Sequence, residues 1–155
     1  MGQTFEAGGA IGAGVFGVSS GGGAAAGEAG ADLCVGCSGR FAFFVDYRHW
    51  LTAASTGEDR VKSADLGSFG LRIQSKSSTR FFFDIGLAGG RDRHIFSGHG
   101  GGMVGAVLGA GVEIPLHGPW SLSPQVRAYG LSPHSLEGVD AHWALGAELG
   151  VSYRF

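Results

Sequence analysis

An all-β fold, an eight-stranded antiparallel up-and-down transmembrane β-barrel, is what this sequence predicts, on three observations. The first is alternation, clearest in the last thirteen residues, Trp143 to Phe155. Trp143, Leu145, Ala147, Leu149, Val151, Tyr153 and Phe155 share one face; Ala144, Gly146, Glu148, Gly150, Ser152 and Arg154 share the other. A strand sends successive side chains to opposite faces, so this is a strand with an unbroken apolar face. Such a strand suits a wall between lipid and a polar barrel interior. The second observation is that this rhythm recurs to give eight strands, an even count, as closed single-chain barrels of this kind need. The third is charge: only 15% of residues are charged, against about 25% in an ordinary soluble domain. The chain has two lysines, Lys62 and Lys76. A water-facing exterior needs more than this.

Length suits a single domain over residues 1–155. Glycine is abundant, 31 of 155 residues, and unpatterned glycine enrichment alone would suggest disorder. Eleven Phe, three Tyr and three Trp set in alternating runs argue against disorder. A net charge of −2 with no basic run argues against a nucleic-acid surface. No stretch reaches the roughly 18 apolar residues of a membrane helix, which leaves barrel strands open because their signals are short and alternating. Met1-Gly2-Gln3 lacks a charged region followed by an apolar block. An exported chain would therefore have lost its signal peptide already.

The elements follow in order. Phe5 to Gly17 turns Phe5, Ala7, Ile11, Ala13 and Val15 one way and Glu6, Gly8, Gly12 and Gly14 the other. A Gly/Ser break, Ser19 to Gly23, separates it from Ala24 to Val35. There Glu28, Gly30, Asp32 and Cys34 oppose Ala29, Ala31, Leu33 and Val35. After a short turn, Gly36 to Gly39, the segment Arg40 to Trp50 sets Phe41, Phe43, Val45 and Tyr47 against Ala42, Phe44, Asp46 and Arg48. A polar connection, Thr52 to Ser63, leads to Leu66 to Gln74, with Phe69, Leu71 and Ile73 against Ser68, Gly70, Arg72 and Gln74. Beyond the Lys76–Thr79 turn, Arg80 to Gly90 sets Phe81, Phe83, Ile85 and Leu87 against Phe82, Asp84, Gly86 and Ala88. Arg91 to Gly101 is a second long connection. Met103 to Leu116 sends Val104, Ala106, Leu108, Ala110, Val112 and Ile114 outward, opposite Gly105, Gly109, Gly111 and Glu113. After the His117–Trp120 turn, Leu122, Val126 and Ala128 oppose Ser123, Gln125, Arg127 and Tyr129. Ser132 to Ala141 is the last loop before the closing strand.

The final segment resembles that of bacterial outer-membrane β-barrels, which carries a polar residue, a glycine two later, an aromatic three further on and a terminal aromatic. Glu148, Gly150, Tyr153 and Phe155 fill these places. The architecture is similar to the OmpA membrane domain and OmpX-like proteins, across the chain as a pattern but only over Glu148 to Phe155 as a motif. The resemblance implies an outer-membrane location in a lipopolysaccharide-containing envelope. It also implies that these four residues are read by the barrel assembly machinery during insertion. Short turns would face the periplasm and long connections the outside, as in such barrels. Phe5, Phe41, Phe81, Trp120, Tyr153 and Phe155 would form the periplasmic aromatic girdle, and Tyr47, Trp50 and Trp143 the outer one.

Alternation does not separate such a barrel from a soluble lipocalin-like one; the polar face does. It is mostly Gly, Ala and Ser with scattered ionisable groups: Glu6, Glu28, Asp32, Asp46, Arg48, Arg72, Asp84, Glu113, Arg127, Glu148 and Arg154. That is too sparse to coat a soluble exterior and suits a narrow interior, where acids and arginines pair. Acids outnumber arginines, so some carboxyls are expected hydrated or protonated. The set reads as a polar plug, since eight strands leave room for side chains rather than an aqueous channel. An ion path or narrow pore for small solutes is the competing reading.

Cys34-Val-Gly-Cys37 lacks the second ligand pair of a zinc site and the α/β setting of a redox motif. A local disulfide or plain thiols are both open. His94 and His99 in one loop, and His134 and His142 in the last, read as solvated loop residues ahead of metal ligands. Gly98 to Gly102 has no Gly-Lys-Ser/Thr frame for phosphate. Some eight-stranded outer-membrane barrels act on lipid A. Their deacylases carry a His-x-Ser pair that Arg127 to Ser132 lacks; His134-Ser135 is adjacent and wrongly spaced. The palmitoyltransferase pattern is not evident either.

The expected role is therefore structural or surface-interacting, through the loops Leu51–Ser63, Arg91–Gly101 and Ser132–Ala141, in a non-catalytic monomer that needs no cofactor. Its partners would be outer-membrane lipid and lipopolysaccharide, the assembly machinery, and an external ligand at the loops. A lipid A-modifying enzyme is the remaining alternative.

Overall fold

Eight antiparallel strands close into one barrel in the order of the chain. The computed structural model describes residues 4–18, 23–52, 63–93, 101–133 and 142–155. The strands are β1 (Phe5–Val18), β2 (Gly23–Val35), β3 (Phe41–Thr52), β4 (Ser63–Gln74), β5 (Arg80–Arg93), β6 (Gly101–Pro115), β7 (Trp120–Pro133) and β8 (His142–Arg154). Closure joins the first strand to the last, with Ala7 opposite Tyr153 and Ile11 opposite Leu149. Every strand thus has two neighbours, and no open sheet edge is left to meet lipid.

Alternation fixes what each face holds. Ile11, Phe43, Phe69, Phe83, Leu87, Leu108, Val126 and Leu149 are all exposed on the outside. Arg48, Asp84 and Arg127 are buried inside. An apolar exterior around an ionised interior inverts the usual soluble arrangement and is the pattern of a barrel seated in lipid.

Three tight turns lie at one end: residues 36–40, 75–79 and 116–119. Gly36 and Gly118 take positive φ values of 78° and 68° there, a region open to glycine without steric cost. Pro124 interrupts the β6–β7 ladder without shifting it, since Gly111 opposite Gln125 and Ile114 opposite Leu122 keep one register. Proline has no N–H to donate, so a local gap in the ladder follows.

The outward aromatics cluster beside the tight turns. The Trp120 and Tyr153 rings meet edge to face at 4.9 Å, as do those of Tyr153 and Phe155. At the other end Tyr47 and Trp143 are exposed, as the girdle expectation has them. Trp50 is not: it is fully buried inside the barrel. Its parity with Asp46 and Arg48 in β3 dictates this, and Gly14, two strands round the wall on β1, makes room. A Cβ on Gly14 would lie 2.8 Å from the Trp50 ring.

Candidate functional site: the barrel interior

The bore is layered. At the tight-turn end, Glu6, Glu113, Arg80 and Arg154 form one ionic cluster. Arg154 approaches Glu6 at 2.5 Å and Glu113 at 3.1 Å; Arg80 lies 2.7 Å from Glu6 and also bonds Glu113. The Ser121 hydroxyl donates to Glu113 at 3.0 Å. The 36–40 turn is drawn into this layer, because the Cys37 carbonyl accepts from both Gln74 and Arg80.

The sulfurs of Cys34 and Cys37 are joined in a disulfide. Glu6 lies close enough to both to complete a three-donor set. However, its carboxylate is taken by Arg80 and Arg154, and the sulfurs are taken by each other. These donors are engaged with protein partners.

Towards mid-barrel a second network centres on Arg48, Arg72 and Arg127. Arg72 forms a two-pronged pair with Asp84 at 2.7 and 2.8 Å and stacks over Phe82 at 3.9 Å. Arg48 donates to Glu148 through Nε at 2.9 Å and Nη2 at 2.7 Å, and to Asp32 at 2.7 Å. Arg127 lies 2.5 Å from Asp46, 3.4 Å from Asp84 and 3.5 Å from Asp32. Ser68 donates to Asp46 at 2.6 Å and Gln125 to Glu148 at 2.9 Å. Charge-assisted bonds of this kind are the strong class, and the planar guanidinium fork lets one arginine serve several carboxylates.

Glu28 stands apart from both networks. It is buried, and neither carboxylate oxygen has a hydrogen-bond partner among the described residues. It leans over Gly146, where a Cβ would collide with it.

Beyond the central network lies a layer the polar-plug expectation did not contain. Phe16, Trp50, Leu66, Met103, Val107, Tyr129 and Leu131 pack together inside the bore at the long-connection end. Trp50 and Tyr129 meet edge to face at 6.2 Å. Small residues of the same cluster, Ala26, Ala64, Ala88 and Ala144, leave space for the large ones. The interior is thus ionic below and largely apolar above, with buried Asp92 and His142 set beside Ala64 and Leu131 of the apolar layer.

All eleven interior positions read from the sequence lie on the inward parity, and ten of them join the two ionic networks; Glu28 is the exception. The sequence reading missed Arg80, a fifth interior arginine, and buried Asp92. Parity would have found both, since Arg80, Phe82 and Asp84 alternate in β5. His142 is inward and buried, not a loop residue. His94, His99, His134 and Ser135 fall outside the described residues, as do 53–62, 94–100 and 134–141 of the three loops. Arg91–Arg93 belongs to β5 and Ser132–Pro133 to β7, so those strands run further than the loop boundaries allowed.

What space remains is small. Between the two ionic layers lies a cavity of about 30 Å³ lined by Glu6, Asp32, Arg72, Glu113 and Gln125. That is room for two or three water molecules, given about 10–15 Å³ for each. At the tight-turn mouth a vestibule of about 450 Å³ opens among Ser38, Ser75, Ser77, Ser78, Lys76 and Arg154.

No family model matches the sequence, and no curated protein does. Solved structures do. Neisserial surface protein A is 16% identical with a TM-score of 0.70, covering 100% of both chains. The N-terminal β-barrel domain of Pseudomonas aeruginosa OprF is 17% identical with a TM-score of 0.63, over 98% of this chain and 97% of that one. Ail, the attachment invasion locus protein of Yersinia pestis, is 12% identical with a TM-score of 0.61, over 99% of each. A further structure of Ail contains the heparin analogue sucrose octasulfate. At these identities the likeness is one of fold: this chain has the fold of the small eight-stranded outer-membrane barrels.

Proposed function

We propose that this chain is an integral protein of the bacterial outer membrane: a sealed, monomeric, single-domain barrel that presents its long connections to the outside. The observation that best supports a sealed barrel is the stacking of two obstructions in one bore. Arg48 and Arg127 tie distant strands together across the middle, Arg72 pairs with Asp84 of the neighbouring strand beside them, and the Trp50–Leu66–Leu131 layer fills the outer half. A hydrated ion passing that apolar layer would lose its water without gaining polar partners. The vestibule at the tight-turn end is then a blind pocket.

A surface role draws support from the names of its structural neighbours, a surface protein and an attachment invasion protein. The heparin analogue in the Ail structure makes a sulfated glycan the first probe to try against the loops. Glu148, Gly150, Tyr153 and Phe155 are assigned as the signal read by the assembly machinery. Catalysis has no part in this reading. The lipid A-modifying alternative rests on His134 and Ser135, and turnover of lipopolysaccharide lost on mutating either would reinstate it.

The deciding experiment is electrical. Refolded protein in planar bilayers is expected to give no discrete conductance steps. Steps whose size changes in Arg127→Ala would overturn the sealed bore in favour of a narrow pore.

A further inference from the structure

Among the described residues, exposed charge at the long-connection end lies on one side of the barrel wall. Among the described residues, the outward-facing ionisable side chains there are His49, Asp65, Arg91 and Arg93, all on β3–β5. Equivalent outward positions on the neighbouring wall are Gly102, Val104, Gly130, Ser132, Trp143 and Leu145.

The charged residues are also organised. Asp65 is the hub: the Tyr47 hydroxyl donates to its Oδ1 at 2.5 Å, His49 Nδ1 lies 2.7 Å from the same oxygen, and Arg93 is 3.7 Å from Oδ2. Arg91 is exposed directly opposite Asp65 in the ladder. Arg91 and Arg93 outnumber the one carboxylate, leaving the patch cationic.

Directly below, towards the barrel waist, the wall is indented. Gly67 pairs with Gly89, and both face outward, flanked by Tyr47 on one side and Val104 on the other. A Cβ on Gly67 would meet nothing closer than two carbonyl oxygens at 3.9 Å. Packing does not require glycine at Gly67. The next row down is apolar again, Phe69 opposite Leu87.

We propose that this face of β3–β5 binds a phosphorylated lipid of the surrounding outer leaflet, its phosphate on Arg91 and Arg93 and an acyl chain in the Gly67–Gly89 notch. Cations above an apolar groove match an amphiphile with an anionic head and a hydrocarbon tail. Asp65 acts as a positioning residue, holding Arg93 and the Tyr47 ring at the groove's edge. The site rests on the reading above, in which the long connections face outward.

The test is native mass spectrometry of the refolded protein in detergent, titrated with bisphosphorylated lipid A and separately with its dephosphorylated form. Wild type is expected to retain the phosphorylated lipid selectively. Arg91→Gln with Arg93→Gln should weaken retention by at least about tenfold, the loss of roughly one charged hydrogen bond or more. Gly67→Ile should also weaken it by filling the notch with the charges intact. Arg40→Gln with Lys76→Gln, which removes cations at the opposite end, should leave retention unchanged. Equal retention by the double Arg91/Arg93 variant, or of the dephosphorylated lipid, would overturn the site. Heat-modifiable gel migration, scored first for every protein, separates this from failure of the barrel reading: absence in wild type would overturn both, whereas intact barrels without lipid discrimination would overturn the site alone.

Discussion

Arg127 shows how much a single side chain carries in this interior. Its side chain is 1% exposed, with carboxylates of Asp46, Asp84, Asp32 and Glu148 within 3.7 Å and the Phe44 ring 5.5 Å away. Removing one partner of a buried ionic set strands the others without compensation, which typically costs about 3–5 kcal/mol. Arg127→Met is therefore expected to lower the unfolding free energy by about that amount in urea titrations of refolded protein. Arg127→Lys should recover only part of it, because a lysine lacks the fork that reaches several acids together. Trp50 supplies the second test at this scale. In a variant keeping only this tryptophan (Trp120→Phe, Trp143→Phe), lipids with brominated chains should leave fluorescence nearly unquenched. A variant keeping only Trp143 should be strongly quenched, since its ring is 44% exposed on the outer wall. Equal quenching would place Trp50 in the outer girdle after all.

Among the elements, β8 serves both ionic networks and carries the proposed insertion signal. Its outward face is Trp143, Leu145, Leu149, Val151 and Tyr153, and its inward face delivers Glu148 to the central network and Arg154 to the tight-turn cluster. The chain beyond it is held by the Phe155 amide donating to the Phe5 carbonyl at 2.9 Å. Phe155 itself is 73% exposed, so its ring adds little beyond its contact with Tyr153. Phe155→Ala should thus change the stability of detergent-refolded protein by no more than about 1 kcal/mol. If the proposed signal assignment holds, the same substitution should sharply lower the yield of heat-modifiable barrel in cells. Parallel losses in both assays would make Phe155 a structural residue and remove the signal assignment.

On the scale of the whole molecule, strand number, strand order and the face each residue takes were legible in the sequence. A two-residue period leaves no freedom once one face is committed to lipid, and a register slip of one residue would turn every charge outward. The same parity reached most of the interior: Asp84, Arg127 and Glu148 were identifiable because ionised residues opposite a lipid-facing row have only the bore to occupy. Trp50 and Arg80 obey the same parity, which puts both inside although one is an aromatic near the outer rim and the other borders a turn. Which acid pairs with which arginine was not legible. Arg127 and Asp46 are 81 positions apart and lie on β7 and β3, so their meeting depends on strand stagger and bore width once the barrel closes. The apolar upper layer was hidden for the same reason. Leu66, Val107 and Leu131 each look like isolated exceptions along their own strands, and become a seal only when closure brings them to one height. The sequence by itself determined the wall, because alternation is a property of each strand alone. Only the tertiary structure decided the contents, because partners across the bore are chosen by a closure that no single strand encodes.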